Sequence, residues 1–231
     1  MPGAAAALLD RLGRPGDVRL GTARAEGPVR LPTGLAPLDA LTGGGLPRGR
    51  LTEIAGPRSA GRTALACTVA AAATRAGEVV AWVDPADALC PEAAAAAGLD
   101  LARTLWARPP GLLDALRAAE WVAGAGGFGL VVLDLAGEAP RGTRADVDTA
   151  RWLRLVRAAE RTRTTLLVVA GAAPRAGSAA ALGLALDAPR ARWSGGPGRL
   201  VLLDGVRVQV TVARSRLGGV GRRTLVEPAV A

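Results

Sequence analysis

The chain has 231 residues, half of them hydrophobic, and its 29 basic and 20 acidic residues give a formal net charge of +9. That length suits one α/β domain with a sizeable core. Every basic residue is an arginine and there is no histidine, which excludes a Ser-His-Asp triad, histidine general-base chemistry and a Cys/His zinc site.

The arginine content favours acidic or polyanionic partners, although a GC-rich genome would produce the same bias. With five Trp, one Phe and no Tyr, stacking of DNA bases on aromatic side chains is not expected, so any DNA contact would be to phosphates. No stretch has the roughly 18 uninterrupted apolar residues of a membrane span, and the N-terminus lacks a signal-peptide pattern. We therefore expect a cytoplasmic protein.

The first predicted element is a short helix, Ala4 to Leu12, followed by a linker rich in Gly, Pro and Arg. A helix this short is not stable alone in water, so we expect it to dock on its own domain or on another subunit. We expect three regions: residues 1–30 as the N-terminal helix and linker, residues 31–216 as the core domain, and residues 217–231 as a mobile tail.

The stretch that begins at Leu51 predicts a strand (Leu51 to Ala55), a glycine-framed loop (Gly56 to Thr63) and an alanine-rich helix. This order and spacing are typical of a phosphate-binding P-loop, whose backbone N–H groups surround an anion at a helix N-terminus. The Thr63 hydroxyl would ligate Mg²⁺. Such loops have lysine at position 62, whereas this chain has arginine, a wider planar group. A Gly/Pro turn before a buried helix is the alternative interpretation.

Strands and helices alternate after this loop. The pattern predicts strands at Val79 to Asp84, Thr104 to Ala107 and Leu130 to Leu135, and helices at Asp87 to Ala97 and Leu112 to Gly124. The second helix is expected to bury Leu112, Leu113, Leu116 and Trp121. Such alternation predicts a mostly parallel β-sheet with helices on both faces.

Asp134 lies at the C-terminal end of the third of these strands, and an aspartate at this place in P-loop folds belongs to the Mg²⁺ shell. Thr63 and Asp134 are therefore the predicted metal ligands if a nucleotide binds. The predicted nucleotide-binding residues are Gly56, Pro57, Arg58, Ser59, Ala60, Gly61, Arg62, Thr63 and Asp134.

Arginines are concentrated after this strand. The loop Ala136 to Asp148 contains Arg141 and Arg144. The helix predicted at Thr149 to Thr162 places its arginines within about 120° of arc at roughly 100° per residue; they are Arg151, Arg154, Arg157 and Arg161. These six arginines form either a solvated face or a surface that contacts DNA or a protein partner.

The C-terminal part predicts a buried strand at Leu166 to Ala170 and a small-residue stretch at Ala172 to Gly183, which is either a mobile loop or a weak helix. Three antiparallel strands follow, at Leu184 to Leu186, Arg199 to Leu203 and Val206 to Ala213. Asp204 and Gly205 are the predicted hairpin turn between the last two strands. The expected fold class is α/β, with this antiparallel hairpin at the C-terminal end.

These segments together resemble the RecA family, from the N-terminal helix to about Arg216. The resemblance is carried by Thr33 to Thr63, Val83 to Leu101, the LVVLDL strand and Ala213 to Arg216. It implies a RecA-like core that binds ATP and Mg²⁺. Arg214 and Arg216 fall on two lysines that RecA uses across the subunit interface to contact a neighbour's nucleotide, so the resemblance implies that these arginines act in trans.

Three departures from RecA fall in one site. Arg62 replaces the P-loop lysine, and Ala86 replaces the glutamate that polarises the attacking water in RecA-type ATPases. Gly171 and Ala172 stand where RecA has a glutamine that senses the γ-phosphate. Because phosphoryl transfer depends on such positioning and charge stabilisation, these losses predict a degenerate ATPase, and we assign no catalytic residue.

A narrower resemblance is to ImuA, a family of RecA-like proteins encoded with ImuB, an inactive Y-family polymerase homologue, and an error-prone C-family polymerase. It is carried by Gly98 to Pro109, Ala115 to Leu135 and Leu155 to Ala170. It implies a role in the SOS response and translesion synthesis, with an ImuB-like protein, RecA or both as partners. Single-stranded DNA and self-association are further expected contacts. A diverged RecA-like protein outside ImuA is the alternative.

Three functions are therefore carried forward. The first is a non-catalytic accessory protein of a mutagenic polymerase complex, working at the nucleoid in the bacterial cytoplasm. The second is an ATP-dependent recombinase-like enzyme that binds single-stranded DNA. The third is a regulator that binds RecA filaments directly.

Overall fold

A computed structural model of the chain describes residues 29–137, 148–196 and 200–228. The helix predicted at Ala4 to Leu12 lies outside the described residues, as do Arg141 and Arg144. In the described part, a small antiparallel ribbon of β1 (Arg30–Leu31) and β2 (Leu46–Pro47) flanks helix α1 (Ala36–Thr42) and leads into the main sheet.

The remaining elements alternate as the sequence predicts. In chain order they are β3 (Leu51–Ala55), α2 (Arg62–Arg75), β4 (Val80–Val83), α3 (Pro91–Ala96), β5 (Thr104–Ala107), α4 (Leu112–Ala125), β6 (Leu130–Asp134), α5 (Thr149–Thr162), β7 (Thr165–Val169), β8 (Leu182–Leu186), β9 (Arg190–Ser194), β10 (Leu202–Ser215) and β11 (Arg223–Val226). Short 3₁₀ turns lie at Leu101–Arg103 and Gly177–Ala179.

The main sheet of the described residues has the strand order β11-β10-β8-β3-β7-β6-β4-β5, with β9 paired to β10 outside this path. All pairings from β8 to β5 are parallel, and β10 runs antiparallel to β8, β9 and β11. The P-loop strand β3 lies between β7 and β8. The carboxyl ends of β3, β4 and β6 therefore meet at one edge of the sheet, which is where ligands bind in such folds.

Two hydrophobic layers cover the sheet. On one face, α2 packs close to the strands because its inward positions are alanines, and Ala66, Ala70 and Ala73 are almost fully buried. On the other face, α4 and α5 bury Leu116, Trp152 and Leu155, among other residues. The central strands are buried on both sides, which explains why β6 and β7 read as near-continuous apolar runs. The fold class is thus confirmed as a mostly parallel sheet with helices on both faces and antiparallel strands towards the C-terminus.

Helix α4 departs from the expected burial. Leu113 is 39% exposed and Trp121 is 75% exposed, so the prediction that both are buried was wrong. The buried residues of α4 follow helical spacing along one stripe that contains Leu112, Ala115, Leu116, Ala119 and Ala123. Trp121 is nine residues from Leu112, which places it about 180° around the helix at roughly 100° per residue. The sheet therefore contacts the face of α4 that is opposite to Trp121.

Two C-terminal predictions need correction. Asp204 and Gly205 do not form a hairpin turn: β10 runs through them, with a register shift between Leu203 and Gly205 opposite β9. The strand that pairs with this part of β10 is instead β9, Arg190–Ser194. The segment expected to be a mobile tail contains β11, which pairs with Val208 to Thr211 and buries Val226.

Helix α3 begins at Pro91, four residues later than predicted. The residues before it form a turn that is closed by the Asp84 carboxylate, which accepts a hydrogen bond from the backbone N–H of Leu89 at 2.9 Å. Proline suits the first helical turn because its missing N–H would have no helical partner there. In the part of the chain that the structure describes, no helix has the length and hydrophobicity required to cross a membrane.

Candidate nucleotide-binding site

The loop between β3 and α2 has the backbone of an anion cradle. A side chain at Gly56 would place its Cβ 2.6 Å from the carbonyl oxygen of Leu186, so the strand end tolerates only glycine. Gly61, the N-cap of α2, has φ of +77°, a left-handed conformation that glycine adopts without steric cost. The tight turn is closed by the N–H of Ala60, which donates to the Pro57 carbonyl at 3.2 Å.

The side chains of this loop differ in exposure. Pro57, Arg58 and Ser59 are exposed at the tip, whereas Ala60 and Arg62 are buried. Thr63 is half-buried in the first turn of α2, where its hydroxyl was predicted to ligate Mg²⁺. The loop therefore has the glycines and the helix N-terminus that phosphate binding requires.

Arg62 does not point out of the loop. It is 8% exposed, and its Nη1 donates a hydrogen bond to the carbonyl oxygen of Ala170, at the end of β7. A buried guanidinium without a partner would be costly, and the carbonyl oxygen of Ala170 supplies one. The charge that should reach phosphates is therefore held at the neighbouring strand.

Asp134 lies at the end of β6, 4% exposed. Burial raises the pKa of its carboxyl to about 6, and the negative charge of Asp84 adds to the rise. The backbone N–H of Ala136, which donates to Oδ1 at 3.0 Å, and the positive charge of Arg62 lower that pKa. Arg62, Asp84 and Asp134 thus form one electrostatic cluster at the edge of the sheet.

Asp84 follows β4 and is 1% exposed. Its Oδ2 accepts hydrogen bonds from the Leu89 N–H at 2.9 Å and from the indole N–H of Trp106 at 3.3 Å. Its Oδ1 is buried without a hydrogen-bond partner among the described residues. Two residues further on, Ala86 is exposed and has no polar side chain.

The oxygen donors of this edge fit a magnesium ion. Mg²⁺ prefers hydroxyl, carboxylate and water oxygens, which Thr63, Asp134 and the unpartnered oxygen of Asp84 could supply. When bound with ATP, the ion would neutralise charge on the phosphates. Among the residues of this site, Arg62 fits a bound nucleotide least, because its guanidinium is already bonded to the carbonyl oxygen of Ala170.

An apolar cavity of about 410 Å³ opens beside the loop. Its walls come from the P-loop, α3 and the C-terminal strands, and they include Thr63, Cys67, Ala93, Val208 and Pro228. Burial, and secondarily the charge of Asp134, raises the pKa of the Cys67 thiol to about 12, so this thiol is uncharged at neutral pH. The cavity can hold an apolar or planar group next to an anion in the cradle.

The two predicted trans arginines lie at the end of β10. Both are exposed, and each donates a hydrogen bond to the turn at Gly177–Ala179 of its own chain: Arg214 to the carbonyl oxygen of Gly177, and Arg216 to that of Ser178. The structure thus shows a local contact for both side chains, and their action across a subunit interface stays a prediction.

The arginines of α5 do not share one environment. Arg154 pairs with Glu120 of α4 at 3.5 Å, and a guanidinium nitrogen of Arg161 lies close to Gly124 at the end of α4. Arg151 is half-buried, while Arg157 is exposed. Part of this predicted face therefore joins two helices, and the rest is open to a partner.

Sequence reasoning missed Glu53. This residue is in the middle of β3 and 3% exposed, and its carboxylate accepts hydrogen bonds from the backbone N–H groups of Arg175 and Ala176. A carboxylate within an otherwise apolar buried strand was the available signal, because such a charge must have hydrogen-bond donors. Glu53 also lines a second cavity of about 410 Å³, together with Gly56, Pro57 and Arg214.

Known proteins share this fold. The solved structure of the RadB recombinase superposes with a TM-score of 0.65 at 22% identity, covering 84% of this chain and 94% of RadB. Protein RecA of Leifsonia xyli subsp. xyli is 33% identical over 180 residues, which is 71% of this chain and 50% of that protein. Protein RecA of Salinispora arenicola is 36% identical over 170 residues, covering 71% and 49%.

Protein RecA of a Picosynechococcus strain is 37% identical over 144 residues, which is 60% of this chain and 41% of that protein. The chain thus spans half or less of the length of these curated relatives. Residues 4–170 match the family described as the RecA N-terminal domain. That match covers the P-loop, the strand that ends in Asp134 and the arginine-bearing helix α5, so the chain belongs to the RecA N-terminal domain family.

Proposed function

We propose that this protein is a RecA-fold accessory factor in the DNA damage response, specifically in mutagenic translesion synthesis, and that it works through contacts rather than through ATP turnover. Membership of the RecA N-terminal domain family supports a role in DNA repair or recombination. The finer assignment to an ImuA-like role rests on the resemblance of Gly98 to Pro109 and Ala115 to Leu135 and on the state of the nucleotide site.

The observation that carries this proposal is the bond from Arg62 to the carbonyl oxygen of Ala170. Charge stabilisation of the transferring phosphoryl group needs a cation directed into the cradle, and removing one such group typically costs orders of magnitude in rate. Here the only basic side chain at the start of α2 is directed at β7 instead. The cradle keeps its backbone donors, while the charge at the lysine position of the P-loop is held at β7.

Two further positions support the same conclusion. Ala86 is exposed beside the site and has no carboxylate to orient water, and Gly171 and Ala172 have no side chain that could reach a γ-phosphate. Nucleotide could still bind through Gly56, Gly61 and Thr63, with Asp134 in the Mg²⁺ shell. ATP and Mg²⁺ would then stabilise a scaffold.

Partner contacts would carry the function. We propose that the N-terminal segment docks on a neighbouring RecA-like protomer or on an ImuB-like partner, and that the exposed part of α4 and α5 offers a second surface. Trp121 and Arg157 are both exposed there, and tryptophan and arginine are the residue types enriched at the energetic centres of interfaces. Single-stranded DNA, self-association and a location at the nucleoid in the cytoplasm belong to the same proposal.

The test is Mg·ATP binding and hydrolysis by the purified chain, with and without single-stranded DNA, with an Arg62→Ala variant as the control. Binding without turnover, or neither, agrees with an accessory role, and capture of an ImuB-like partner is then measured with and without residues 2–14. Loss of capture without unfolding supports docking through that segment. Hydrolysis that DNA stimulates and Arg62→Ala abolishes would overturn the proposal.

The second function, an ATP-dependent recombinase-like enzyme that binds single-stranded DNA, is favoured by one observation. The loop keeps both glycines in the conformation of an anion cradle, and a cavity of about 410 Å³ stays open beside it. A site that no longer bound nucleotide would need neither the glycine-framed loop nor the open cavity. DNA-stimulated hydrolysis distinguishes this enzyme from the accessory factor.

A further inference from the structure

Strands β9 and β10 form a ribbon that extends beyond the body of the sheet. Among the described residues β9 pairs only with β10, at residues 202–207, and these precede the part of β10 that pairs with β8 and β11. All five residues of β9 are exposed. The outer edge of β9 therefore has backbone N–H and C=O groups that no strand in the described part of the chain satisfies.

The ribbon exposes a large share of the apolar side chains on the surface. Of the fifteen large hydrophobic residues that are exposed in the described part of the chain, five lie here: Trp193, Leu200, Val201, Leu202 and Leu203. Trp193 is 60% exposed and stands directly opposite Leu203 across the two strands. Exposed apolar residues that are concentrated in this way mark a contact surface.

The register separates the apolar and the basic side chains of the ribbon onto two faces. On one face, four apolar side chains form two cross-strand pairs: Trp193 with Leu203, and Ala191 with Val206. On the other face, Arg190 lies opposite Arg207, and Arg192 lies opposite Gly205. Because Val206 also packs against the core cluster that contains α2, the apolar face continues the protein interior outwards.

The basic face has an excess of positive charge. Glu227 accepts a hydrogen bond from Arg207 at 2.5 Å and lies 3.8 Å from a guanidinium nitrogen of Arg192. Arg190 has no ion pair within the residues that the structure describes. Three arginines thus share one carboxylate, and the two on β9 lie beside the free edge.

The end of the ribbon is held in place. The hydroxyl of Ser194 donates a hydrogen bond to the Asp204 carboxylate at 2.7 Å. Gly195 has φ of +101°, and an added Cβ would lie 2.1 Å from the carbonyl oxygen of Leu200, so the chain passes close to itself there. A surface that is ordered before binding loses less conformational entropy when a partner binds.

We propose that the free edge of β9 binds an extended acidic peptide of a partner protein as an additional strand, with apolar side chains against Trp193 and carboxylates against Arg190 and Arg192. An added strand satisfies the free backbone groups, and alternation along that strand gives the peptide one apolar and one acidic face. The contact needs no bound nucleotide, so it holds whether or not the chain hydrolyses ATP.

Two other occupants fit this surface less well. Pairing of β9 with β9 of a second copy would bring the arginines of both copies together, and like charges on paired strands are destabilising. The phosphates of single-stranded DNA would neutralise the arginines but would leave the apolar face uncovered. An acidic peptide with alternating apolar residues covers both faces.

The charge requirement is tested by fluorescence anisotropy on the full chain, with a labelled peptide in which valine and glutamate alternate. We expect saturable binding that weakens about tenfold when lysine replaces glutamate in the peptide, or when Arg190→Glu and Arg192→Glu are combined in the chain. The double variant should instead prefer the lysine peptide. Arg222→Glu combined with Arg223→Glu, at exposed arginines beside and within β11, is the matched control and should bind like the unmodified chain. Absence of binding, or equal binding of the two peptides, would overturn the proposal.

The apolar face and the backbone pairing are tested separately. Trp193→Ser should weaken binding of the acidic peptide about tenfold, whereas Leu225→Ser, at an exposed leucine of β11, should leave it unchanged, with equal melting temperatures for both variants. Methylation of the backbone amides of the peptide should abolish binding, because an added strand pairs through its N–H groups. Retained binding of the methylated peptide contradicts strand addition. If the double arginine variant weakens binding of single-stranded DNA and leaves peptide binding unchanged, the ribbon contacts DNA and the proposal is wrong.

Discussion

Arg62 Nη1 donates a hydrogen bond to the carbonyl oxygen of Ala170, joining the first residue of α2 to the end of β7. The bond fills the place where a P-loop lysine would extend towards phosphate. It also stabilises the edge between β3 and β7, because a buried cation and a strand-end carbonyl satisfy each other. The Arg62 side chain therefore cannot bond to the Ala170 carbonyl and contact a phosphate at the same time.

Arg62→Lys should favour nucleotide binding over the bond to the Ala170 carbonyl. An ammonium group on a flexible stem can leave the Ala170 carbonyl and reach between phosphates, whereas the guanidinium stays in place. We expect Mg·ATP to bind at least about tenfold more tightly, equivalent to roughly 1.4 kcal/mol, in a titration with a fluorescent ATP analogue. Arg75→Lys, at an exposed arginine in the last turn of the same helix, is the control. Equal affinity for both variants would show that Arg62 does not limit binding.

Ala86→Glu tests which lost group prevents hydrolysis. Position 86 is exposed, so a longer side chain has room, and a carboxylate there could orient water. Combined with Arg62→Lys, it should raise DNA-stimulated ATP hydrolysis at least about tenfold above the unmodified chain, in an assay of released phosphate. Ala86→Gln in the same background is the control, because glutamine has the size of glutamate without its charge. Equal rates for Glu and Gln would mean that position 86 is not the missing base.

The sequence predicted the backbone of this site better than its contacts. β3 at Leu51–Ala55, β5 at Thr104–Ala107 and α5 at Thr149–Thr162 have the predicted bounds, because apolar runs and helical periodicity are local signals. The partners of Arg62, Arg214 and Arg216 were not predictable. Each bonds to a carbonyl oxygen on a distant segment, and no local pattern marks a carbonyl.

The two errors have different origins. Trp121 was predicted to lie in the core, although helical spacing, a local signal, places it opposite the stripe of Leu112 and Leu116. Asp204 and Gly205 have the composition of a turn, yet cross-strand pairing with β9 carries β10 through them. Only in this second case does a tertiary contact outweigh the preference of the individual residues.

Gly56→Ala should destabilise the chain more than Gly61→Ala. The added methyl at position 56 would meet the Leu186 carbonyl oxygen at 2.6 Å, which forces β3 and β8 apart. We expect a loss of about 1 to 3 kcal/mol from overpacking. At Gly61 the costs are the left-handed conformation, about 1 to 2 kcal/mol, and an approach of 3.2 Å to Val208 Cγ2, a side-chain atom that can shift. Chemical denaturation measures both, with Gly205→Ala as a control where no atom lies within 4 Å. A reversed order would contradict the close approach at Gly56.

The raised pKa of Asp134 makes stability depend on pH. Its pKa of about 6 lies above the ordinary value of 3.8, so the folded chain binds this proton more tightly than the unfolded chain does. The stabilising contribution is complete below about pH 4 and is lost as the pH rises through 6. Asp134→Asn should therefore be more stable than the unmodified chain at pH 8, on the order of 3 kcal/mol. Denaturation midpoints from pH 4 to pH 8 should show the two proteins converging at the acidic end; a constant difference would contradict this assignment.

Arg157→Glu separates binding from folding on α5. Arg154 pairs with Glu120, so its reversal would also disturb the packing of α4 on α5, whereas Arg157 is exposed and has no ion pair within the residues that the structure describes. We expect Arg157→Glu to weaken capture of an ImuB-like partner or of single-stranded DNA about tenfold, with an unchanged melting temperature. Arg75→Glu, on the other face of the sheet, is the control.

If the partner is DNA, affinity falls steeply with added salt for every sequence tested, and the variant has a smaller salt slope. If Arg157→Glu changes neither interaction while Trp121→Ser abolishes protein capture, the interface depends on the apolar part of α4. If neither variant changes binding, this surface is solvated and the contacts lie elsewhere.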